Sequence, residues 1–256
     1  MARGPVLLLA NPVSGSGKAR KAAQALLDRI PGAVLVDRGL KPREGTLVAV
    51  GGDGTVNEAA RMLRGRDATL AVFPAGTANL VARSYGLPSD PDAFTAMLET
   101  GHTVPLDLGL AGDRVFVACA GAGIDAEVVR RLHEGRKGAI SMLDYVPHIV
   151  GALGTGPFHK VRITLDGRAL GEAIQAVVCN LPVYAAFFRL TPDARGDDGI
   201  LDLALLKSLT SGFELHRGRE IRLEEKGVPL HLDGDMAGEL PVTLRVEPAA
   251  LRLLVP

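Results

Sequence analysis

The sequence has no excess charge of either sign, no long apolar run and only two cysteines. Each shortage removes a class of answer. The 29 basic and 29 acidic side chains cancel, whereas a protein held on nucleic acid by bulk charge needs a large positive excess. No nucleic-acid partner is expected. The short apolar stretch from Val6 to Ala10 turns at once to Asn11-Pro12. A secretory signal needs a longer apolar region and a cleavage site, and a membrane span needs about twenty apolar residues. The expectation is a soluble, cytoplasmic protein without a transmembrane segment, whose contact with a membrane is peripheral. Cys119 and Cys179 lie far apart in apolar runs and form no C-x-x-C pair. They read as buried, reduced thiols.

What is present is a core-forming chain of 256 residues, 47% hydrophobic and 23% charged, long enough for one large domain or two modest ones. In the first hundred residues short apolar runs alternate with helical patterns. Val6–Ala10, Ala33–Val36, Leu47–Val50 and Thr69–Phe73 read as strands. Ala19, Ala22, Ala23, Leu26, Leu27 and Ile30 keep the i, i+3, i+4 spacing of a helix face. Further helical patterns run over 56–64 and 78–85, and another starts near Asp90. This alternation predicts an α/β domain with a mainly parallel sheet. One link is too short for the usual helical crossover: about ten residues separate Val36 from Leu47. Either that crossover is stripped down or one of the two strands is misread.

From residue 105 the pattern changes. Arg114–Cys119, Lys160–Leu165, Ile174–Cys179, Leu201–Leu206, Val228–Leu232 and Val242–Val246 read as strands separated by turn signals. Helical stretches at Asp125–His133 and Ala139–Leu153 interrupt them. A β-rich, sandwich-like second domain over 105–247 is expected, after an α/β domain over 1–104. Ala139–Leu153 is apolar without clean periodicity and reads as buried core, with an acyl-chain groove as the second reading.

Three glycine-containing loops follow the carboxyl ends of predicted strands: Asn11–Gly17, Gly51–Thr55 and Pro74–Asn79. Ligands of open parallel sheets bind at that edge, and glycines let backbone N–H groups approach phosphate oxygens. Ser14–Gly17 reads equally as a strand-to-helix turn with Ser16 as N-cap. It is not a P-loop, which would need glycine at Pro12 and a hydroxyl at Ala19, and a dinucleotide fingerprint would put its third glycine at Arg20. Thr55–Glu58 reads as a capping box. That leaves Gly51, Gly52, Asp53 and Gly54 unexplained by structure alone and favours a ligand.

Taken in order, Asn11-Pro-Val-Ser-Gly, Gly51-Gly-Asp-Gly-Thr-Val-Asn-Glu, Gly76-Thr-Ala-Asn, Gly123-Ile-Asp-Ala-Glu-Val, Asp197-Asp-Gly-Ile-Leu-Asp and Leu232-Asp-Gly-Asp span nearly the whole chain. As an ordered set they resemble the diacylglycerol kinase catalytic family, particularly the soluble bacterial lipid kinases related to sphingosine kinases, within the NAD kinase/diacylglycerol kinase-like superfamily. The resemblance implies an α/β nucleotide domain, a β-sandwich-like domain, and a final strand over 248–256 that returns to the first. It implies an enzyme of lipid metabolism and phospholipid biosynthesis that transfers the γ-phosphate of ATP to a lipid hydroxyl, diacylglycerol or a relative, at a membrane surface. A homodimer is compatible with it. ATP would be bound by Asn11, Ser14, Gly15, Gly51, Gly52, Asp53, Gly54, Thr55, Val56, Asn57, Glu58, Gly76, Thr77 and Asn79. Asp233 would be the general base, with Asp235 beside it where the family commonly has glutamate. Mg²⁺ would be held in the second domain by the Asp198 side chain and the carbonyls of Arg195 and Ile200. From composition alone, 193–202 is a turn before a strand and Asp233-Gly234 a hairpin turn. An NAD kinase-like enzyme and a nucleotide- or lipid-binding regulator without catalysis remain the alternatives.

Overall fold

The computed structural model describes residues 4–11, 17–40, 42–134, 158–185 and 188–256. The chain divides into two units, residues 1–107 with 185–187 and 248–256, and residues 108–184 with 188–247. The expected helix at 139–153 lies outside the described residues, as do Ser14, Gly15 and Ser16.

In the first unit the apolar runs become strands β1 (Val6–Ala10), β2 (Val34–Val36), β3 (Thr46–Gly51) and β4 (Thr69–Pro74). They lie in the order β2-β1-β3-β4, all parallel. Helices α1 (Lys18–Leu27), α2 (Asp53–Leu63), α3 (Leu80–Tyr85) and α4 (Pro91–Thr100) intervene, and β5 (His102–Ala111) follows. Every residue of β3 is buried, as expected of a central parallel strand covered on both faces. Leu47, Val48 and Leu70 are wholly inaccessible. Burying such side chains stabilises the unit by about 1.5–3 kcal/mol each before entropy is subtracted.

The short link is real. β2 and β3 flank β1, so residues 37–45 carry the chain past the start of β1 without a helix among their described members. Gly45 makes this passage possible. Its φ is 87°, and a Cβ there would stand 2.4 Å from the Pro5 carbonyl oxygen. The Thr46 N–H then donates to that same oxygen at 2.9 Å.

In the second unit, β6 (Arg114–Phe116), β7 (Cys119–Gly123), α5 (Ile124–Glu134), β8 (Val161–Leu165), β9 (Arg168–Ala173), β10 (Gln175–Cys179), β11 (Val183–Tyr184) and β12 (Phe188–Arg189) come first. They are followed by β13 (Leu201–Leu206), β14 (Phe213–Gly218), β15 (Glu220–Glu224), β16 (Pro229–Leu232), β17 (Asp235–Glu239) and β18 (Val242–Val255). One antiparallel sheet has the order β14-β13-β10-β7-β16-β17; the start of β18 pairs with β15, and β15 with β8 and β8 with β9, in another antiparallel set. Leu201, Leu203, Leu205, Ala176 and Val178 of the first meet Val161, Ile163, Ile221, Leu223 and Leu244 of the second in one core. This is the sandwich that strand alternation predicts. The end of β18 runs parallel to β4 in the first unit, Arg252 opposite Thr69 and Leu253 opposite Leu70.

Two local readings are corrected. Helix α2 starts at Asp53 with Gly52 as its N-cap, so Thr55 sits inside the first turn and heads no capping box. The strand expected over 114–119 is broken at Val117-Ala118, whose N–H groups turn to the Asp233 carboxylate instead of a neighbouring strand.

Candidate active site

The glycine loops of the first unit follow adjacent strands, because β1, β3 and β4 are neighbours and parallel. At the ends of β3 and β4 two of the loops touch. The Ala75 N–H donates to the Gly51 carbonyl at 2.9 Å, and Gly76 packs on Gly52 so closely that a Cβ on Gly76 would lie 2.3 Å from the Gly52 Cα. A Cβ on Gly51 would stand 2.3 Å from Thr55 Oγ1. These glycines therefore have a packing reason, which the sequence reading did not supply.

Polar side chains lock the contact. The Asp53 carboxylate accepts from the backbone N–H of Leu80 at 2.6 Å and of Asn79 at 3.0 Å, tying the start of α2 to the start of α3. Asn79 has φ 51° and closes its own loop, its Oδ1 accepting from Gly76 N–H at 3.0 Å and its Nδ2 donating to the Gly76 carbonyl at 2.9 Å. Among the described residues no side chain caps the N-terminus of α2, and Gly54 in its first turn is exposed. A helix start of this kind, with glycine at the cap, presents N–H dipoles that favour an anion. Val56 is core and Thr55 Oγ1 is buried without a hydrogen-bond partner among the described residues. Asn57, Glu58 and Gly76 are half-buried and Thr77 is exposed; Asn11 ends β1 at the same sheet edge. The structure thus brings Gly51–Glu58 together with Gly76–Asn79.

In the second unit Asp233 and Gly234 form the two-residue turn between β16 and β17, with φ 50° and 83°, the positive pair that a type I′ hairpin requires. The Asp233 carboxylate is held from the other side by three backbone donors: Val117 and Ala118 at 2.8 Å and Cys119 at 3.0 Å. Its own N–H donates to the Cys119 carbonyl at 2.8 Å. Three donors on one carboxylate fix its direction. Asp235, at the start of β17, is exposed.

Beside this turn lies a buried network that sequence reasoning missed. His231 Nε2 is 2.5 Å from Asp125 Oδ2, and the Tyr184 hydroxyl donates to Asp125 Oδ1. On the other side of the ring the Gly234 N–H lies 3.3 Å from His231 Nδ1. Burial works to raise the Asp125 carboxyl, but the charge and hydrogen bond of His231, with the Tyr184 hydroxyl, outweigh it and hold it below the ordinary value. Burial, with Asp125 next to it, pushes the Tyr184 hydroxyl well above its usual range. Gly121 has to be glycine: a Cβ there would be 2.1 Å from Asp125 Oδ2 and 2.2 Å from His231 Nε2. The signal for Asp125 was its place in Gly123-Ile-Asp-Ala-Glu-Val; nothing in the sequence pointed to His231 or Tyr184. Cys119 and Cys179 oppose each other across β7 and β10, both buried, and burial pushes the Cys179 thiol up to about 12.

The loop 193–202 does not have the form of a cation cage. Asp198 Oδ1 accepts from the Ile200 N–H at 3.1 Å, and Asp198 Oδ2 accepts from Arg217 Nη2 at 2.5 Å. Arg195 pairs with Asp197 at 3.1 Å. The side chain expected to bind Mg²⁺ is thus engaged by a guanidinium. Among the described residues no group of three or more His, Cys, Asp and Glu side chains is placed to hold a metal, and no helix is long and apolar enough to cross a membrane.

Comparison with known proteins matches both parts of the chain. Residues 5–111 match the diacylglycerol kinase catalytic domain, and residues 118–213 the YegS C-terminal NAD kinase beta sandwich-like domain. A diacylglycerol kinase of Mycobacterium tuberculosis is 29% identical, over 99% of this chain and 96% of its own. A probable YegS-like lipid kinase of Pseudomonas aeruginosa is 31% identical, over 87% and 80%. Among solved structures, a putative diacylglycerol kinase from Bacillus anthracis superposes with a TM-score of 0.78 at 20% identity, covering 98% and 95%. An NAD kinase from Archaeoglobus fulgidus, in complex with ATP, has a TM-score of 0.57 at 12% identity, covering 98% and 93%.

Proposed function

The chain belongs to the family of diacylglycerol kinases and YegS-like lipid kinases, and we propose that it transfers the γ-phosphate of ATP to a lipid hydroxyl, with diacylglycerol as the first candidate. The observation that carries this reading is the lock between Gly52 and Gly76 at the ends of β3 and β4. It sets two glycine loops and the start of α2 side by side, with no capping hydrogen bond from a described side chain at that helix end. Phosphoryl transfer asks little covalent chemistry of a protein; it needs the phosphates positioned and their charge met. In this reading Gly51–Asn57 and Gly76–Thr77 bind the phosphates of ATP, which enters as its Mg²⁺ complex. Asp53 and Asn79 shape the loops through the hydrogen bonds they make within them.

Asp233 is assigned the acceptor side. Three N–H donors hold its carboxylate in one orientation. A weak base suffices where the hydroxyl gives up its proton late, once bonding to phosphorus has begun to acidify it. The proton passes from the lipid hydroxyl to the Asp233 carboxylate as the new P–O bond forms and ADP leaves. Asp235 adds a second, exposed carboxylate next to it.

The test is label transfer from γ-labelled ATP with Mg²⁺, offering diacylglycerol vesicles, sphingoid bases and NAD in parallel, with Asp233→Asn as control. Label in diacylglycerol, lost in the variant, is the expected result. Label in NAD alone would overturn the lipid reading. ATP binding without transfer to any acceptor would leave a nucleotide-binding protein and overturn the kinase reading altogether.

A further inference from the structure

The loop 193–202 raises a question of charge. Asp193, Asp197, Asp198 and Asp202 fall within one short stretch of chain, and the Asp198 and Asp202 carboxylates reach one and the same group. Asp202 is 5% exposed, and its Oδ2 is buried without a hydrogen-bond partner among the described residues. Such a concentration of negative charge ordinarily calls for a cation.

One is already there, and it is part of the chain. Arg217 lies on β14 directly opposite Asp202 on β13. From that register its Nε donates to Asp202 Oδ1 at 3.1 Å and its Nη2 to Asp198 Oδ2 at 2.5 Å. Asp198 Oδ1 is taken by the Ile200 N–H. The planar fork of a guanidinium can bridge two carboxylates in this way, where a lysine would present only a point charge. A Mg²⁺ ion needs near-octahedral oxygen ligation at about 2.0–2.1 Å, and here it would have to displace the guanidinium or sit against its positive charge.

We infer that Arg217 takes the place of a divalent cation, clamping the 193–202 loop to β13 and β14 so that this unit keeps its fold without metal. Two consequences follow. Chelation leaves the stability of the protein unchanged, and removing the guanidinium both weakens the protein and opens a cation site between carboxylates that have lost their counter-ion.

Thermal unfolding of the full chain, free of nucleotide, tests both in EDTA and in millimolar Mg²⁺. The wild type is expected to melt at the same temperature in each. Arg217→Met keeps the length of the side chain without its charge; it is expected to melt about 4–8 °C lower in EDTA and to recover at least half of that shift in Mg²⁺. Arg217→Met combined with Asp198→Asn should show no recovery. A wild-type melting temperature that falls in EDTA, with the fall absent from Asp198→Asn, would overturn the inference. So would Arg217→Met melting like the wild type, or falling without any recovery in Mg²⁺. If Arg217→Met does not fold, the wild-type pair of melts decides alone.

Discussion

Asp233 shows how much a single residue's role depends on what surrounds it. In sequence it is half of an Asp-Gly turn; in the structure its carboxylate gathers three N–H groups from the break between β6 and β7. Asp233→Asn would put an amide against donors that need an acceptor. The expected cost is about 1–3 kcal/mol of unfolding free energy, read by urea titration, together with a loss of lipid phosphorylation of about 10²–10⁴-fold in kcat. Asp125 makes a prediction in pH. Its carboxyl is held below the ordinary value in the folded state, so the stability it contributes is present above the unfolded value of about 3.9 and is lost as pH falls through the lower folded one. Unfolding titrations of wild type and Asp125→Asn should therefore differ above the unfolded value of about 3.9, with the gap closing as the pH falls below it.

At the scale of elements, the start of α2 depends on a neighbour. Asp53 reaches from that helix to the N–H groups of Asn79 and Leu80, so one carboxylate orders two loops. Asp53→Asn should weaken this tie by about 1–2 kcal/mol. Amide exchange in residues 76–85 should then speed up roughly 5–30-fold while protection of β3 is unchanged, and ATP affinity should fall with it. The strands β1, β3 and β4 were legible because continuous apolar runs bounded by glycine leave few other readings. The N-terminus of α2 was not. Thr55 and Glu58 imitate a capping box, whereas in the structure Gly52, packed on Gly76, is the N-cap and the helix starts three residues earlier.

For the whole molecule, the C-terminal segment is the decisive feature. Leu251, Leu253, Leu254 and Val255 are buried, Arg252 and Leu253 pair with β4, and the Ala249 N–H donates to the Asp107 carboxylate at 2.7 Å. Deleting residues 248–256 should expose an apolar edge of the first unit. It should lower the melting temperature by at least about 10 °C or leave that unit unfolded, as read by circular dichroism and by loss of ATP binding. What the sequence by itself determined was the fold class and the place of the glycine loops after their strands, because hydrophobic periodicity and glycine runs act over a few neighbouring residues. What only the tertiary structure decided was every contact between residues distant in the chain: Arg217 on Asp198, His231 on Asp125, the backbone of 117–119 on Asp233. These depend on which strands become neighbours and in what register, and no local pattern along the chain records that.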